Sequence, residues 1–193
     1  MKKGFTLIEL LIVIAILAIL ATTVVVVLNP AQILAQARDA QRISDLSSVK
    51  SAIALYLATA TGTPVVSATS TCTITGCNNP GPFTTAPTVN VSTAVTGTGW
   101  VGVDLRGTSG GSSLSALPTD PTNSLVYYYG YKGSATALTF KLAGRLESAK
   151  YGPMMGDPAG IGSDGGIRQT CPQYPPVVAD TSCYYEIGTD VAL

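Results

Sequence analysis

KKGFTLIELLIVIAILAIL, residues 2–20 of this 193-residue chain, begins with two lysines and then places one charged residue, Glu9, in an otherwise apolar run. A charge at the centre of a bilayer costs about 3 kcal/mol on the scale derived from membrane insertion. Glu9 therefore needs a role that outweighs this cost, or a partner that neutralises it.

The apolar run has the length of a membrane-spanning helix. Residues 10–28 contain no ionisable side chain, and residues 5–28 would form about 36 Å of α-helix, more than the roughly 30 Å of a bilayer core. The two N-terminal lysines predict an N-terminus in the cytoplasm and the remaining chain outside. A cleaved secretory signal is a poor alternative, because its apolar run spans about 7–15 residues and ends at an A-x-A site. A plain single-pass anchor leaves Gly4 and Glu9 unexplained.

Residues 2–10 resemble the prepilin signature of type IV pilins and of type II secretion pseudopilins. The shared features are a short basic leader, a Gly–Phe junction and a glutamate soon after it, at the start of an apolar helix. The resemblance implies that residues 1–4 are a leader peptide, that a prepilin peptidase cuts after Gly4, and that Phe5 becomes an N-methylated first residue.

The same resemblance implies a role for Glu9, which would meet the new α-amino group of a neighbouring subunit and set its register. Opposite charges attract strongly in an apolar core, and loss of one partner strands the other. A carboxylate that snorkels to the membrane interface is the alternative. The implied partners are identical or homologous subunits in a helical filament, membrane lipid before assembly, and an inner-membrane assembly platform with its ATPase.

The stretch TTVVVVLNP, residues 22–30, predicts the end of the first helix, which we place at residues 5–29. Its β-branched residues lose rotamer freedom in a helix, and Pro30 removes a backbone donor and crowds the preceding turn. We therefore predict a kink at Pro30. We also expect part of residues 22–31 to stretch when a filament forms.

Beyond the proline, the sequence predicts an amphipathic helix over residues 30–60 that packs on a globular head. Its apolar residues recur mostly at spacings of three and four: Leu34, Ala37, Ile43, Leu46, Val49, Ile53, Tyr56 and Leu57. The charged residues are predicted to form the opposite, solvated side: Arg38, Asp39, Arg42, Asp45 and Lys50. A helix of this kind lays its apolar stripe on a partner.

Residues 61–193 are predicted to form an extracytoplasmic head, which makes the fold class α+β. Residues 61–99 are rich in Thr, Ser, Gly and Pro, a composition typical of a connecting surface loop. Residues 100–193 are predicted to supply a three- or four-stranded antiparallel sheet and a C-terminal disulfide loop. Four segments have the composition of strands: WVGVDL (100–105), LVYYYGYK (125–132), ALTFKLAG (137–144) and CYYEIGTD (183–190).

The second and third of these segments are predicted to pair as a hairpin with a turn around Gly133-Ser134. Alternation along the third segment predicts that Leu138, Phe140 and Leu142 face the helix. Thr139 and Lys141 are predicted to face outward. Alternation likewise separates Tyr127, Tyr129 and Tyr131 from Tyr128. The preceding ALPTDP, residues 116–121, resembles the pseudopilin-like pilin head together with the tyrosine-rich segment and Leu146-Glu147-Ser148.

Four cysteines predict two disulfides in an oxidising compartment. Short loops favour the pairs Cys72–Cys77 and Cys171–Cys183. Four reduced, buried thiols are the alternative. A zinc site of four thiolates is disfavoured, because the CxxC spacing of such sites is absent.

The stretch GDPAGIGSDGG, residues 156–166, holds two candidate calcium ligands, Asp157 and Asp164. The resemblance to pseudopilins implies that these residues could hold a calcium ion, as in some pseudopilin heads, although their spacing does not match an EF-hand. Solvated aspartates in a series of turns are the alternative. No other cofactor is expected.

The composition argues against an enzyme and against nucleic-acid binding. The chain has no histidine, and its 11 basic and 11 acidic residues give a formal net charge of zero. Histidine is the commonest general base, and a basic surface is the usual mark of nucleic-acid binding. A GxGxxG match at residues 97–102 leads into a predicted strand instead of following one, and a GxSxG match at residues 107–111 lacks a histidine for a triad.

Three functions fit these observations. The first is a structural subunit of a type IV-type pilus, anchored in the cytoplasmic membrane with its head outside and then polymerised. The second is a pseudopilin of a type II secretion system, and the third is a monomeric, membrane-tethered binding ectodomain. The uncharged, Thr-rich loop favours the first, because it suits an exposed filament surface.

Overall fold

A computed structural model of the chain describes residues 4–77, 83, 86–155, 184–190 and 193, without the side chains of residues 26 and 27. The elements are helices α1 (Leu7–Leu28) and α2 (Pro30–Thr59), strands β1 (Thr71–Cys72), β2 (Thr88–Val89), β3 (Gly130–Ser134) and β4 (Thr139–Gly144), a short 3-10 helix (Gly152–Met155) and strand β5 (Tyr185–Gly188). The fold is α+β, as predicted. It divides into two compact units, Met1–Ala35 and Gln36–Leu193.

The first helix ends because the backbone of Asn29 leaves the helical conformation. Asn29 has φ 41° and ψ 74°, a left-handed conformation that asparagine tolerates better than most residues. Pro30 then begins α2, at a position where its missing N–H costs nothing and its fixed φ suits a helix. The backbone carbonyl of Asn29 accepts a hydrogen bond from Gln32 N at 2.9 Å, which closes the first turn of α2.

The head is built on a five-stranded sheet in the order β2-β1-β3-β4-β5. The sheet is mixed, so the prediction of a purely antiparallel sheet of three or four strands was wrong. β1 and β2 pair in parallel, and the other three pairs are antiparallel. The two extra strands come from the Thr/Ser-rich stretch, and each has two residues, too few to show an alternating pattern in the sequence.

The predicted strand at residues 100–105 is absent from the sheet. Trp100, Val101, Val103 and Leu105 are nevertheless almost completely buried in the main core. The segment bonds instead to residues 92–95, through Trp100 N to Ser92 O at 3.0 Å and Leu105 N to Val95 O at 2.9 Å. The alternation in the sequence therefore reports packing against the core and not a strand of the sheet.

The predicted hairpin is present, but its turn begins two residues later than expected. Ser134 pairs with Thr139, so the turn comprises residues 135–138. Gly133 lies inside β3, where a Cβ atom would come within 2.3 Å of Val66 Cγ1. A glycine is therefore needed at position 133 for close packing and not for a turn. Residues 125–129 of the predicted tyrosine-rich strand precede β3 and lie outside the strand.

The two faces of this hairpin are both covered. Phe140 and Leu142 bury in the core against α2, as predicted, whereas Lys141 is fully buried on the other face, contrary to the prediction of an outward lysine. Its Nζ lies 3.2 Å from Glu186 Oε1 on β5. A second cluster covers this face, formed by Cys72, Cys77, Phe83, Tyr128, Ala143 and Tyr184. The segregation of Tyr128 from Tyr129 and Tyr131 is confirmed, and so is the strand predicted near residue 185.

Candidate functional site

The first candidate site is the start of α1. Gly4, Phe5 and Thr6 precede the helix and are exposed, and the space around Gly4 is open to 4 Å from an added Cβ atom. The Gly4–Phe5 peptide bond is therefore accessible to another protein. Phe5 itself is 86% exposed.

Thr6 and Glu9 form a capping box at the N-terminus of α1. Thr6 N donates to Glu9 Oε2 at 2.8 Å, and the Thr6 hydroxyl donates to the same oxygen at 2.7 Å. In return, Glu9 N donates to Thr6 Oγ1 at 3.3 Å. In a single chain, Glu9 thus satisfies donors at its own helix end, a role that the Thr-x-x-Glu spacing signals and that our sequence reasoning overlooked.

The remainder of α1 is apolar on every side. The large apolar side chains described between Leu7 and Leu28 are roughly half exposed or more. By length and composition, the described residues contain one helical region able to cross a membrane, and none of its most apolar part is covered by the chain. A helix that is hydrophobic all round requires an apolar environment, in lipid or among other helices.

The second candidate site is a buried charged group on α2, which corrects the predicted solvated face. Asp39 and Arg42 are 0% exposed. Arg42 Nε donates to Asp120 Oδ2 at 2.7 Å and Nη2 to Asp120 Oδ1 at 3.1 Å. Nη1 donates to Asp39 at 2.8 Å and to Glu147 at 2.7 Å, and Nη2 also donates to the Thr122 hydroxyl at 2.8 Å. All five guanidinium donors are thereby satisfied.

The carboxylates around Arg42 also bind backbone amides of two head segments. Asp39 accepts from Glu147 N at 3.0 Å and from Ser148 N at 2.7 Å. Asp120 accepts from the amides of residues 122 and 123 at 2.8 and 3.1 Å. Arg38 forms a bidentate pair with Glu147 at 2.6 and 2.8 Å. We call these five charged residues the Arg42 cluster: Arg38, Asp39, Arg42, Asp120 and Glu147.

The electrostatics of the cluster follow from burial and pairing. Burial alone would lower the pKa of Arg42, but hydrogen bonds and charge pairing with the carboxylates hold it above its ordinary value. Burial works to raise the pKa of Glu147, yet the bonds from Arg38 and Arg42 keep it below its usual range. Both residues are therefore charged at neutral pH, and the Arg42 cluster is an ionic connection between α2 and the head.

The other predicted site residues divide into two groups. The structure joins Cys72 to Cys77 by a disulfide, and both residues are buried. Asp157, Asp164, Cys171 and Cys183 lie outside the described residues, so the calcium site and the second disulfide stay predictions. Within the described ranges, no group of three or more His, Cys, Asp or Glu residues is placed to hold a metal ion.

Comparison with known proteins gives one match. Residues 1–25 match the family model described as the prokaryotic N-terminal methylation motif. The chain matches no curated protein and no solved structure. The matched segment contains the Gly4–Phe5 junction, Glu9 and most of α1. Residues 1–25 therefore carry an N-terminal methylation motif, which supports a class III leader of the kind found in type IV pilins and pseudopilins.

Proposed function

We propose that this protein is a structural subunit of a type IV-type pilus, cleaved after Gly4, methylated on Phe5 and polymerised through α1. The observation that carries the proposal is the combination of a methylation motif with a 22-residue helix that is apolar on all sides. A prepilin peptidase reads the leader. The cytoplasmic membrane then holds α1, with the head outside, until an assembly platform and its ATPase extract the subunit into an extracellular filament.

The exchange of lipid for neighbouring helices provides little hydrophobic driving force, because both surroundings are apolar. A polar interaction between subunits therefore has a large influence on assembly. Cleavage creates an α-amino group on Phe5, and Glu9 is the acidic residue that α1 offers to such a group on a neighbouring chain. Both bonds from Thr6 end on Oε2, and a carboxylate has about four acceptor sites, so Glu9 has capacity for this partner without losing its cap.

Fibres sheared from cells that express this chain test the proposal. Intact-mass and N-terminal peptide analysis should find a chain that begins at N-methylated Phe5. Fibres that contain the uncleaved chain would contradict processing after Gly4. Absence of the chain from every fibre, with the protein present as single copies in the membrane, would favour a tethered binding ectodomain instead.

A pseudopilin is the second candidate. It is compatible with residues 116–121, whose Asp120 lies in the Arg42 cluster and whose sequence resembles the pseudopilin-like pilin head. Deletion of the coding sequence separates the two: loss of surface pili with normal protein export supports a pilin, and an export defect with normal pili supports a pseudopilin.

A further inference from the structure

Helix α2 has a weak beginning. It starts immediately after the left-handed Asn29, and its early apolar residues Ile33 and Leu34 are 50% and 59% exposed. Just before the break, Thr22 and Thr23 donate their hydroxyls to carbonyls of α1, an arrangement that bends and weakens helices. If the helical region is pulled, unwinding therefore begins near Asn29.

Helix α2 is bonded to the rest of the head from Arg38 onward. The compact unit of the head begins at Gln36, and the Arg42 cluster begins two residues later. From there, α2 is bonded to segments 78 to 109 positions further along the chain. Unwinding past Asp39 breaks its bonds to two backbone amides and to Arg42, and the separated charges lose partners inside a buried site. Such a loss is among the most costly single events in a folded protein.

From these observations we propose that the Arg42 cluster is a clamp that stops unwinding of α2, so that extension of the helical region is confined to residues before Arg38. In a filament, the clamp would let the helical region before Arg38 lengthen while the head stays folded. That purpose depends on the proposed function, but the clamp itself does not, because it is a property of the single chain.

The test is amide hydrogen exchange of the full chain in detergent micelles. Wild-type protein should show a step in protection, with fast exchange at residues 29–36 and slow exchange from about residue 40 onward. In Arg42→Lys, which keeps the charge but not the five-donor geometry, exchange at residues 40–46 should rise by about tenfold or more, because protection reports the cost of local opening. Residues 49–56 and β4 should stay protected and show that the head is folded.

Two further variants make the outcome decisive. Arg106→Lys alters an exposed arginine paired with Asp104 and should leave the step unchanged. Glu147→Gln weakens the cluster more mildly and should raise exchange at residues 40–46 by a few-fold, which replaces Arg42→Lys if that variant does not fold. The clamp is overturned if wild-type protein shows no step near Arg38, or if a folded cluster variant leaves exchange at residues 40–46 unchanged.

Failure of the clamp and failure of the proposed function are distinguishable. If the chain forms no fibres, the pilus proposal falls, and the micelle measurement still decides the clamp. If fibres form, the same exchange measurement on fibres should show rapid exchange ending at the same residues. A boundary inside the head in wild-type fibres would overturn the clamp without affecting the assignment as a filament subunit.

Discussion

Helices α1 and α2 each contain an acidic residue that a simple apolar stripe would not contain, and the two residues have opposite surroundings. Glu9 is exposed and bonds to Thr6 of its own helix end, whereas Asp39 is 0% exposed and bonds to Arg42 and to distant backbone amides. The helix around Glu9 lacks a covering in the single chain, and the helix around Asp39 is covered by the head. The comparison indicates that charge in α1 is placed for another molecule, and charge in α2 for the same molecule.

Substitution of Glu9 should have the largest effect and tests whether its charge is placed for another molecule. Glu9→Gln keeps the capping box, since glutamine also serves at this position, but removes the charge. If the charge is meant for a neighbouring subunit, Glu9→Gln and Glu9→Ala should both reduce sheared fibre yield by tenfold or more at equal membrane levels of the protein.

Thr6→Ala is the matched control for the cap. It removes the hydroxyl that pairs with Glu9 and should cost about 1 kcal/mol of helix stability, with fibre yield nearly unchanged. If Glu9→Gln polymerises normally and Thr6→Ala does not, Glu9 acts through its own helix, and the contrast with Asp39 disappears.

Removal of the Arg42 guanidinium should have the next largest effect. Arg42→Met leaves the buried carboxylates of Asp39 and Asp120 without their cation, while Glu147 keeps its pair with Arg38. Removal of one partner from a buried ion group destabilises by about 3–5 kcal/mol. Urea unfolding of the chain in micelles, followed by the fluorescence of buried Trp100, measures the change. Arg106→Met should leave the free energy of unfolding nearly unchanged, because its pair with Asp104 is exposed. A loss below 1 kcal/mol for Arg42→Met would show that the cluster contributes little.

The sequence predicts α1 and the hairpin well because their signals are local. An uninterrupted apolar run and a proline after asparagine both act within a few residues, and so does the Thr-x-x-Glu cap that our sequence reasoning overlooked. The Arg42 cluster depends instead on partners 78 and 105 positions away, which no local pattern reveals. One signal was present: Asp39 and Arg42 continue the buried stripe of Leu46, Val49 and Ile53 at spacings of three and four. A stripe defined by apolar residues alone leaves them out.

Two glycines of the head, Gly133 and Gly62, allow a covered position to be compared with an open one. Gly133→Ala would bring a methyl group against Val66 and Ser67 O, and such overpacking costs about 1–3 kcal/mol. Gly62→Ala, in open space and at an ordinary φ, is the matched control and should be nearly neutral. Equal stability of the two variants would mean that the packing around β3 accommodates the added methyl group at little cost.

The smallest expected effect is on the pH dependence of stability, to which two carboxylates contribute in opposite directions. One is Glu147 of the head, which bonds to α2, and the other is Asp45 of α2 itself. Glu147 has a pKa held below its ordinary value of 4.5, despite its burial, by hydrogen bonds from Arg38 and Arg42. A folded-state pKa below the unfolded value contributes stability above that unfolded value, and this contribution is lost as the pH falls through the folded-state pKa. Glu147→Gln should therefore flatten the decline of unfolding free energy below about pH 4.5.

Asp45 should act in the other direction, since burial raises its pKa above 3.8 even though Tyr129 donates a hydrogen bond to it at 2.9 Å. The folded state then binds its proton more tightly than the unfolded state, so Asp45 lowers stability as the pH rises through this range. Asp45→Asn should make the rise of stability with pH steeper than in wild-type protein, whereas Glu147→Gln makes it shallower. Urea unfolding between about pH 3 and 6 measures both slopes, in the range where carboxylates titrate. Two variants that shift the slope in the same direction would show that the ionic connection between α2 and the head does not control the acid response.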